Sequence, residues 1–286
     1  MTTLSEAEIL RYSRQIILPL VGGAGQERLK AGRVLIVGAG GLGSPAALYL
    51  AGAGIGTLGI CDYDRVDLTN LQRQIIHETE GVGRLKTTSA AQRLSALNPE
   101  IRVVQHPVKL TASNASEILG GYDLVIDGSD TFASKFLVND ACAFLGIPHV
   151  FAGILDFEGQ LLTVIPGRSP CYRCIFREAP PEGSVPTCSQ AGILGPVAGV
   201  LGSLQALEAL KVLLGLGEAM AGRLLLFDGL ILTFREVKIG RDEKCPACGE
   251  AGLRRELREE GDGTCEADSP QGRRGDAGPR RACGVD

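Results

Sequence analysis

The sequence predicts an α/β fold: a doubly wound, mostly parallel, Rossmann-like sheet that continues into a mixed second half with a four-cysteine zinc knuckle site. Three observations carry this prediction. Apolar strand patterns alternate with helical ones between Val34 and Pro148. The first strand pattern runs directly into the glycine-rich turn Gly38-Ala39-Gly40-Gly41-Leu42-Gly43. Two Cys-x-x-Cys pairs, Cys171 with Cys174 and Cys245 with Cys248, stand far apart in the second half.

Taken in order, Ser5 can cap a first helix running to about Leu18, with Ile9, Tyr12, Ile16 and Ile17 as its apolar side and Pro19 and Gly22-Gly23 stopping it. This helical arm, residues 1–30, precedes the main domain, residues 31–249. There Val34 to Val37 reads as a strand, Ser44 to Gly52 as a helix and Thr57 to Cys61 as a second strand. Lys86 to Leu97 follows as a helix, then Ile101 to Gln105 and Asp123 to Asp127 as strands. Right-handed crossovers put the C-terminal ends of parallel strands on one edge, so Gly38 to Gly43, Asp62 and the Asp127 to Asp130 loop should converge there.

Beyond Pro148 the pattern shortens to strands His149 to Gly153 and Gln160 to Ile165, then a Pro-, Gly- and Cys-rich loop from Pro166 to Pro186. A helix from Gly199 to Leu214 and strands Arg223 to Phe227 and Leu232 to Ile239 complete a second half that shares the same sheet. Residues 250–286 are Gly-, Arg- and Glu-rich without an aromatic residue, a composition that cannot form a core, and are expected to be a disordered tail.

With 286 residues the chain can bury a full core without disulfides. Lys plus Arg number 29 against 33 Asp plus Glu, so the net charge of −4 gives no basic excess for nucleic acid. Ser5, Glu6 and Glu8 stand where a signal peptide would place a basic start and an apolar run, and a cytoplasmic protein is expected. The apolar stretch Ala191 to Gly217 is interrupted by Pro196, Gln205, Glu208 and Lys211, and reads as a buried helix with no membrane role.

The glycine turn and Asp62, about twenty residues on, suit any nucleotide, including a nicotinamide cofactor. The segment Asn70-Leu71-Gln72-Arg73-Gln74 and Lys86 decide between them. A hydride-transfer enzyme has little use for an Arg and amides grouped near a pyrophosphate, whereas a nucleoside triphosphate brings three or four negative charges. Arg73 and Lys86 could neutralise its β- and γ-oxygens while Asn70 donates to one of them. The two Cys-x-x-Cys pairs have the spacing of a four-cysteine zinc (Zn2+) site with no open coordination position, hence a structural metal. Cys61 and Cys142 fall in apolar patterns and read as core. His77, His106 and His149 have no Ser or Cys at a hydrolase spacing.

These residues resemble the HesA/MoeB/ThiF family of adenylyltransferases, which activate ubiquitin-fold sulfur carriers in molybdopterin and thiamine biosynthesis and are related to ubiquitin-activating enzymes. The resemblance covers roughly residues 5 to 249. It rests on Arg11-Tyr12-Ser13-Arg14-Gln15, the glycine turn, Asp62-Tyr63-Asp64, Asn70 to Gln74, Lys86, the Asp127 to Asp130 loop and both cysteine pairs.

The resemblance implies that Gly41 offers its backbone to phosphate, Asp62 holds the ribose, and Asn70, Arg73 and Lys86 contact the triphosphate of ATP. Asp130 would ligate magnesium (Mg2+), beside Thr131 where the family usually has Asn. Arg14 would reach into the neighbouring subunit's site of a homodimer. Cys188 matches a cysteine that takes part in acyl or persulfide transfer in some branches, although a lone Cys before an apolar helix usually packs.

The implied reaction is attack by a carrier's C-terminal Gly-Gly carboxylate on the α-phosphorus of ATP, expelling pyrophosphate. No rhodanese-like pattern is present, so a separate sulfurtransferase or cysteine desulfurase is the expected sulfur source. A nicotinamide-dependent oxidoreductase would leave Asn70 to Gln74, Lys86 and the cysteine pairs unexplained. A non-catalytic binding subunit would be expected to lack Arg73, Lys86 or Asp130, and a branch acting on a tRNA-nucleoside carboxylate shares the motifs.

Overall fold

The computed structural model describes residues 3–180, 192–250 and Leu257. The chain enters through α1 (Glu6–Arg11), α2 (Ser13–Ile16) and α3 (Gly22–Ala31). It then alternates through β1 (Arg33–Val37), α4 (Gly43–Ala53), β2 (Thr57–Cys61), α5 (Lys86–Leu97), β3 (Arg102–His106), α6 (Ala112–Leu119), β4 (Leu124–Asp127) and α7 (Phe132–Leu145). The described second half contributes β5 (His149–Leu155), β6 (Glu158–Val164), α8 (Tyr172–Ile175), α9 (Gly195–Leu214), β7 (Arg223–Asp228) and β8 (Thr233–Lys238).

All eight strands join one sheet in the order β3-β2-β1-β4-β5-β6-β7-β8. From β3 to β5 the pairs are parallel, and from β5 to β8 they are antiparallel. The uninterrupted apolar run of β1 is buried on both faces because helices cover both. Val34 and Ile36 pack with Leu50 of α4, Leu94 of α5 and Leu201 of α9. Leu35 and Val37 meet Leu119 of α6 and Val138 of α7. The strand order reverses between β1 and β4, and the crevice at such a switch point is where open α/β sheets bind ligands.

α9 has the length and hydropathy of a membrane span, yet half of its apolar window is buried inside the fold. Its polar residues have partners there. Gln205 Nε2 donates to the Asp127 and Val150 carbonyls at 2.7 and 2.9 Å. The Glu208 carboxylate accepts from Thr163 Oγ1 and Met220 N, both at 2.6 Å. This is the expected core helix, and it begins at Gly195, one turn before the expected Gly199.

The arm departs from expectation. Ser5 caps α1, accepting from Glu8 N at 3.2 Å while Glu8 accepts from Ser5 N at 2.7 Å. The helix does not continue to Leu18: it breaks at Tyr12, whose buried ring lies against Gly54 and whose hydroxyl accepts from Asn98 Nδ2 at 2.8 Å. The anchored tyrosine fixes the arm's direction, and Ile9 and Ile17 face outward where an apolar stripe was expected. Gly22 and Gly23 open α3 where a stop was expected. Gln26 of α3 ties to the Ala53 carbonyl at 2.9 Å, a tertiary contact that outweighs glycine's poor propensity. Two helices, α6 and α7, were not anticipated, and α8 stands inside the presumed Pro166 to Pro186 loop. Leu257 packs against the core cluster beneath α6 and α7.

Candidate active site

Where β1 ends, the chain turns sharply back into α4. Gly38 has φ +89°, and a Cβ there would lie 2.8 Å from the Gly128 carbonyl oxygen of the adjoining β4 loop. Gly43 begins α4, and a Cβ on it would stand 1.9 Å from the Gly38 carbonyl oxygen. The turn therefore packs backbone on backbone, leaving N–H groups at the start of a helix available to an anion.

Two buried side chains hold this turn. Asp62, at the end of β2, accepts from Ala39 N and Asp64 N, each at 2.8 Å. Burial pushes its carboxyl pKa up, against the opposing pull of Lys86. His77 bridges the Ala39 carbonyl and Ser89 Oγ, each at 3.0 Å. Because a carbonyl only accepts, Nε2 carries the proton and Nδ1 accepts from Ser89. Burial lowers the imidazole pKa and keeps it neutral. His77 is thus a core histidine that fastens the glycine turn to α5.

Lys86, the first residue of α5, is buried, and its Nζ lies 2.9 Å from Asp64 Oδ2. Asn70 and Arg73 sit on the segment between β2 and α5. Asn70 closes a short 3-10 turn, its Oδ1 accepting from Asp67 N at 3.3 Å. Arg73 Nη1 donates to the Thr69 carbonyl at 3.2 Å. The Arg73 stem flanks Gly41, its Cγ and Cδ 3.5 Å from where a Gly41 Cβ would be. Sequence reasoning did not anticipate that the first turn of α9 completes this wall. A Cβ on Gly195 would be 2.4 Å from the Gln72 carbonyl oxygen, and one on Gly41 would be 3.3 Å from Ala198 Cβ. Buried Gln74 lies beside Gly40, and its Oε1 has no partner among the described residues.

The β4 loop brings Asp127 to Asp130 to the neighbouring strand end. Asp127 is buried and Asp130 is exposed. Thr131 serves as the N-cap of α7, its Oγ1 accepting from Ser134 N at 3.2 Å. Lys135, which sequence reasoning missed, reaches under this loop to the Ser129 and Ala152 carbonyls.

Arg14 lies elsewhere. Its neighbour Gln15 donates to the Ala53 carbonyl at the C-terminal end of α4, the end opposite the glycine turn. An eleven-residue helix separates the two ends, about 16 Å at 1.5 Å per residue. Arg11 donates to the Leu97 carbonyl at 3.2 Å on the surface, a solvated charge on the arm. Cys188 and residues 181–191 lie outside the described residues, as do 251–256 and 258–286 of the expected tail.

The two cysteine pairs, remote in sequence, meet. Cys171 and Cys174 flank and occupy α8, while Cys245 and Cys248 follow β8, and the four Sγ atoms lie within 4.8 Å of one another. Cys171 to Cys245 and Cys174 to Cys248 each measure 3.5 Å. A tetrahedral ion with Zn–S bonds of about 2.3 Å has S···S edges of about 3.8 Å, so the set is positioned to bind a metal and far too open for disulfides. Tyr172 N donates to Asn139 Oδ1 at 2.8 Å, and Arg173 pairs with Asp140 at 2.8 Å, fastening the cluster to α7. Cys61 and Cys142 are buried, and burial raises both thiol pKa values, that of Cys61 to about 12.

Comparison with known proteins agrees with this geometry. The chain is 50% identical over 258 residues to a sulfur carrier protein adenylyltransferase of Thermus thermophilus, covering 88% of this chain and 95% of the relative. It is 47% identical to the SAMP-activating enzyme E1 of Haloferax volcanii, covering 88% of this chain and 93% of that one. It is 49% identical to the adenylyltransferase and sulfurtransferase MOCS3 of Culex quinquefasciatus, but spans only 57% of that protein's length. Among solved structures, Escherichia coli MccB shares the fold with a TM-score of 0.74 at 24% identity, over 84% of this chain and 74% of MccB. The profile of the ThiF family matches residues 12–247. The glycine turn, the basic wall around it and all but the last residue of the four-cysteine cluster fall within that match, and the chain belongs to the ThiF family.

Proposed function

We propose that this chain is an ATP-dependent adenylyltransferase acting on the C-terminal glycine carboxylate of a small ubiquitin-fold sulfur carrier. The observation that carries the reading is a glycine turn fastened by Asp62 and His77, with the Arg73 stem against Gly41, buried Lys86 acting on Asp62, Asn70 on the same segment as Arg73, and the Asp130 carboxylate on the adjoining strand-end loop. That arrangement suits a polyphosphate and leaves a nicotinamide cofactor without a use for the basic wall. The names of the relatives at about half identity favour the same chemistry.

The carrier carboxylate is already ionised at neutral pH, so no general base is required. Its oxygen forms the new bond to the α-phosphorus as the bond to pyrophosphate breaks. Gly41 offers its backbone to phosphate and Asp62 accepts from the ribose hydroxyls. Arg73, Lys86 and Asn70 stabilise charge on the departing phosphates. To reach them Lys86 exchanges Asp64 for phosphate oxygens, a trade between two anions that needs little movement of its stem.

Asp130, an exposed carboxylate on a strand-end loop, fits a hard divalent cation, and bound magnesium there would supply further charge neutralisation. Zinc in the four-cysteine cluster would be structural, pinning α8 to the segment after β8. Arg14, placed away from its own chain's turn, would serve the partner's site in a homodimer. The expected setting is cytoplasmic, with a separate sulfurtransferase or cysteine desulfurase supplying sulfur and Cys188 available for transfer.

The test is exchange of labelled pyrophosphate into ATP by the purified protein, with and without candidate carriers ending in Gly-Gly. Exchange that appears only with a carrier establishes adenylation and identifies the pathway, molybdopterin or thiamine. ATP binding without exchange for any carrier would overturn the assignment.

A further inference from the structure

We propose that Lys135 is a positioning residue for Asp130: its buried ammonium fixes the peptide that presents the Asp130 carboxylate to a divalent cation. The inference rests on the reading of Asp130 as a metal ligand.

Asp130 is exposed, and among the described residues its side chain makes no hydrogen bond or ion pair. Its direction is therefore set by its backbone. The carbonyl of Ser129 belongs to the peptide that enters Asp130, and Lys135 Nζ donates to that oxygen at 2.7 Å. The other side of Ser129 is also held, since Asp127 Oδ1 accepts from Ser129 N at 3.0 Å and from Ser129 Oγ at 2.6 Å. Both peptides flanking Ser129 are tied, which fixes the peptide that enters Asp130, and on its other side Thr131 is held as the N-cap of α7 by Ser134 N.

Lys135 is itself anchored. Its second donor goes to the Ala152 carbonyl on β5 at 2.8 Å, its charge lies 3.9 Å from Asp127 Oδ2, and it sits 4.8 Å from the centroid of the Phe151 ring. Gln205 of α9 joins the same unit by bridging the Asp127 and Val150 carbonyls. The turn is thus referenced to β5 and α9, rigid parts of the core.

Burying an ammonium is costly unless it is paired and hydrogen-bonded. A methionine would fill the same space without that cost if the position served packing alone. What it could not do is hold the Ser129 carbonyl. Groups that orient a metal ligand from behind typically change metal affinity about 10–100-fold when removed.

The test measures ATP binding calorimetrically across a magnesium titration, and again in chelator, for the full chain and its variants. Lys135→Met should raise the magnesium concentration for half-maximal ATP binding by about 10-fold or more. Binding in chelator should stay unchanged, and Lys135→Arg, which can still donate to both carbonyls, should restore the wild-type midpoint to within about 3-fold. In an Asp130→Ala background Lys135→Met should add no further shift, because its effect passes through Asp130. Equal weakening with and without magnesium, or additive shifts in the double variant, would overturn the inference in favour of a purely structural role. Lys135→Gln, measured alongside in case the methionine variant does not fold, should give an intermediate shift, and an unchanged midpoint there would also overturn it. Asp130→Ala with wild-type magnesium dependence would reject the metal reading itself, a result distinct from failure of the Lys135 step alone.

Discussion

Gly41 and Gly43, near neighbours in the glycine turn, should separate binding from folding. At Gly43 an added Cβ would stand 1.9 Å from the Gly38 carbonyl oxygen, with the Gly38 carbonyl carbon at 3.0 Å and Ile36 Cγ2 at 3.2 Å. An ordinary carbon–oxygen contact is about 3.2 Å or longer, so Gly43→Ala must drive α4 and the end of β1 apart by about 1 Å or more, in the manner of an overpacked core. Neither partner can yield cheaply. Gly38 is held on its far side by the Gly128 backbone, and α4 is pressed against α9 where a Cβ on Gly202 would already be 2.3 Å from the Leu42 carbonyl oxygen. Overpacking of this kind costs about 1–3 kcal/mol. At about 2–4 °C per kcal/mol for a large domain, the melting temperature should fall by about 2–12 °C. At Gly41 the nearest atoms to an added Cβ are Ala198 Cβ at 3.3 Å and the Arg73 stem at 3.5 Å, one of them a flexible side chain. Gly41→Ala should therefore melt within about 2 °C of wild type while weakening ATP by about 10-fold or more, the cost of losing one hydrogen bond to a charged group and displacing Arg73. Thermal melts and ATP calorimetry on both variants decide it. Wild-type melting for Gly43→Ala, or a Gly41→Ala that melts early and binds ATP normally, would refute this division of labour.

Three further outcomes follow from particular residues. His149 is fully enclosed at the start of β5, its Nδ1 has no partner among the described residues, and burial lowers its pKa to about 3. A group that binds its proton better when unfolded withdraws stability as pH falls from its unfolded value near 6.5 toward 3. Urea denaturation should thus show about 2 kcal/mol less stability at pH 5 than at pH 7 from this residue, and His149→Gln should flatten that slope. Metal analysis should find one zinc per chain, lost together with the native melt in Cys245→Ser, since one missing thiolate leaves three sulfurs around an incomplete tetrahedron. Mixing Arg14→Ala with Arg73→Ala chains, each inactive alone, should recover about a quarter of wild-type exchange if dimers reassort at random and Arg14 acts across the interface. No recovery after verified reassortment would place Arg14 outside the partner's site.

The residues proposed to meet ATP were legible because they carry local signatures. Gly38 to Gly43, Asp62 and Asp127 to Asp130 end three strands whose apolar runs are unmistakable, and crossover handedness alone puts those ends on one edge. The two cysteine pairs announce themselves by spacing, although 74 residues separate Cys171 from Cys245. The unanticipated helix α7 does carry a signal, with Thr131 capping its start and Gly146 in the left-handed region at φ +70° ending it. The acids just before it draw attention to a loop and hide the cap that follows. The break at Tyr12 has no such signal, since it depends on Asn98 and Gly54 receiving the ring.

Lys135 and Gln205 belong to a third kind. Their partners are the carbonyls of Ser129, Ala152, Asp127 and Val150, and a carbonyl is the one group that every residue supplies. No residue type at the receiving end could have marked the pairing, and the distances along the chain reach 78 residues. A site of this kind is therefore half visible from sequence. The groups that touch substrate need particular chemistry and so leave a pattern, whereas the groups that aim them need only reach a backbone whose identity the sequence does not record.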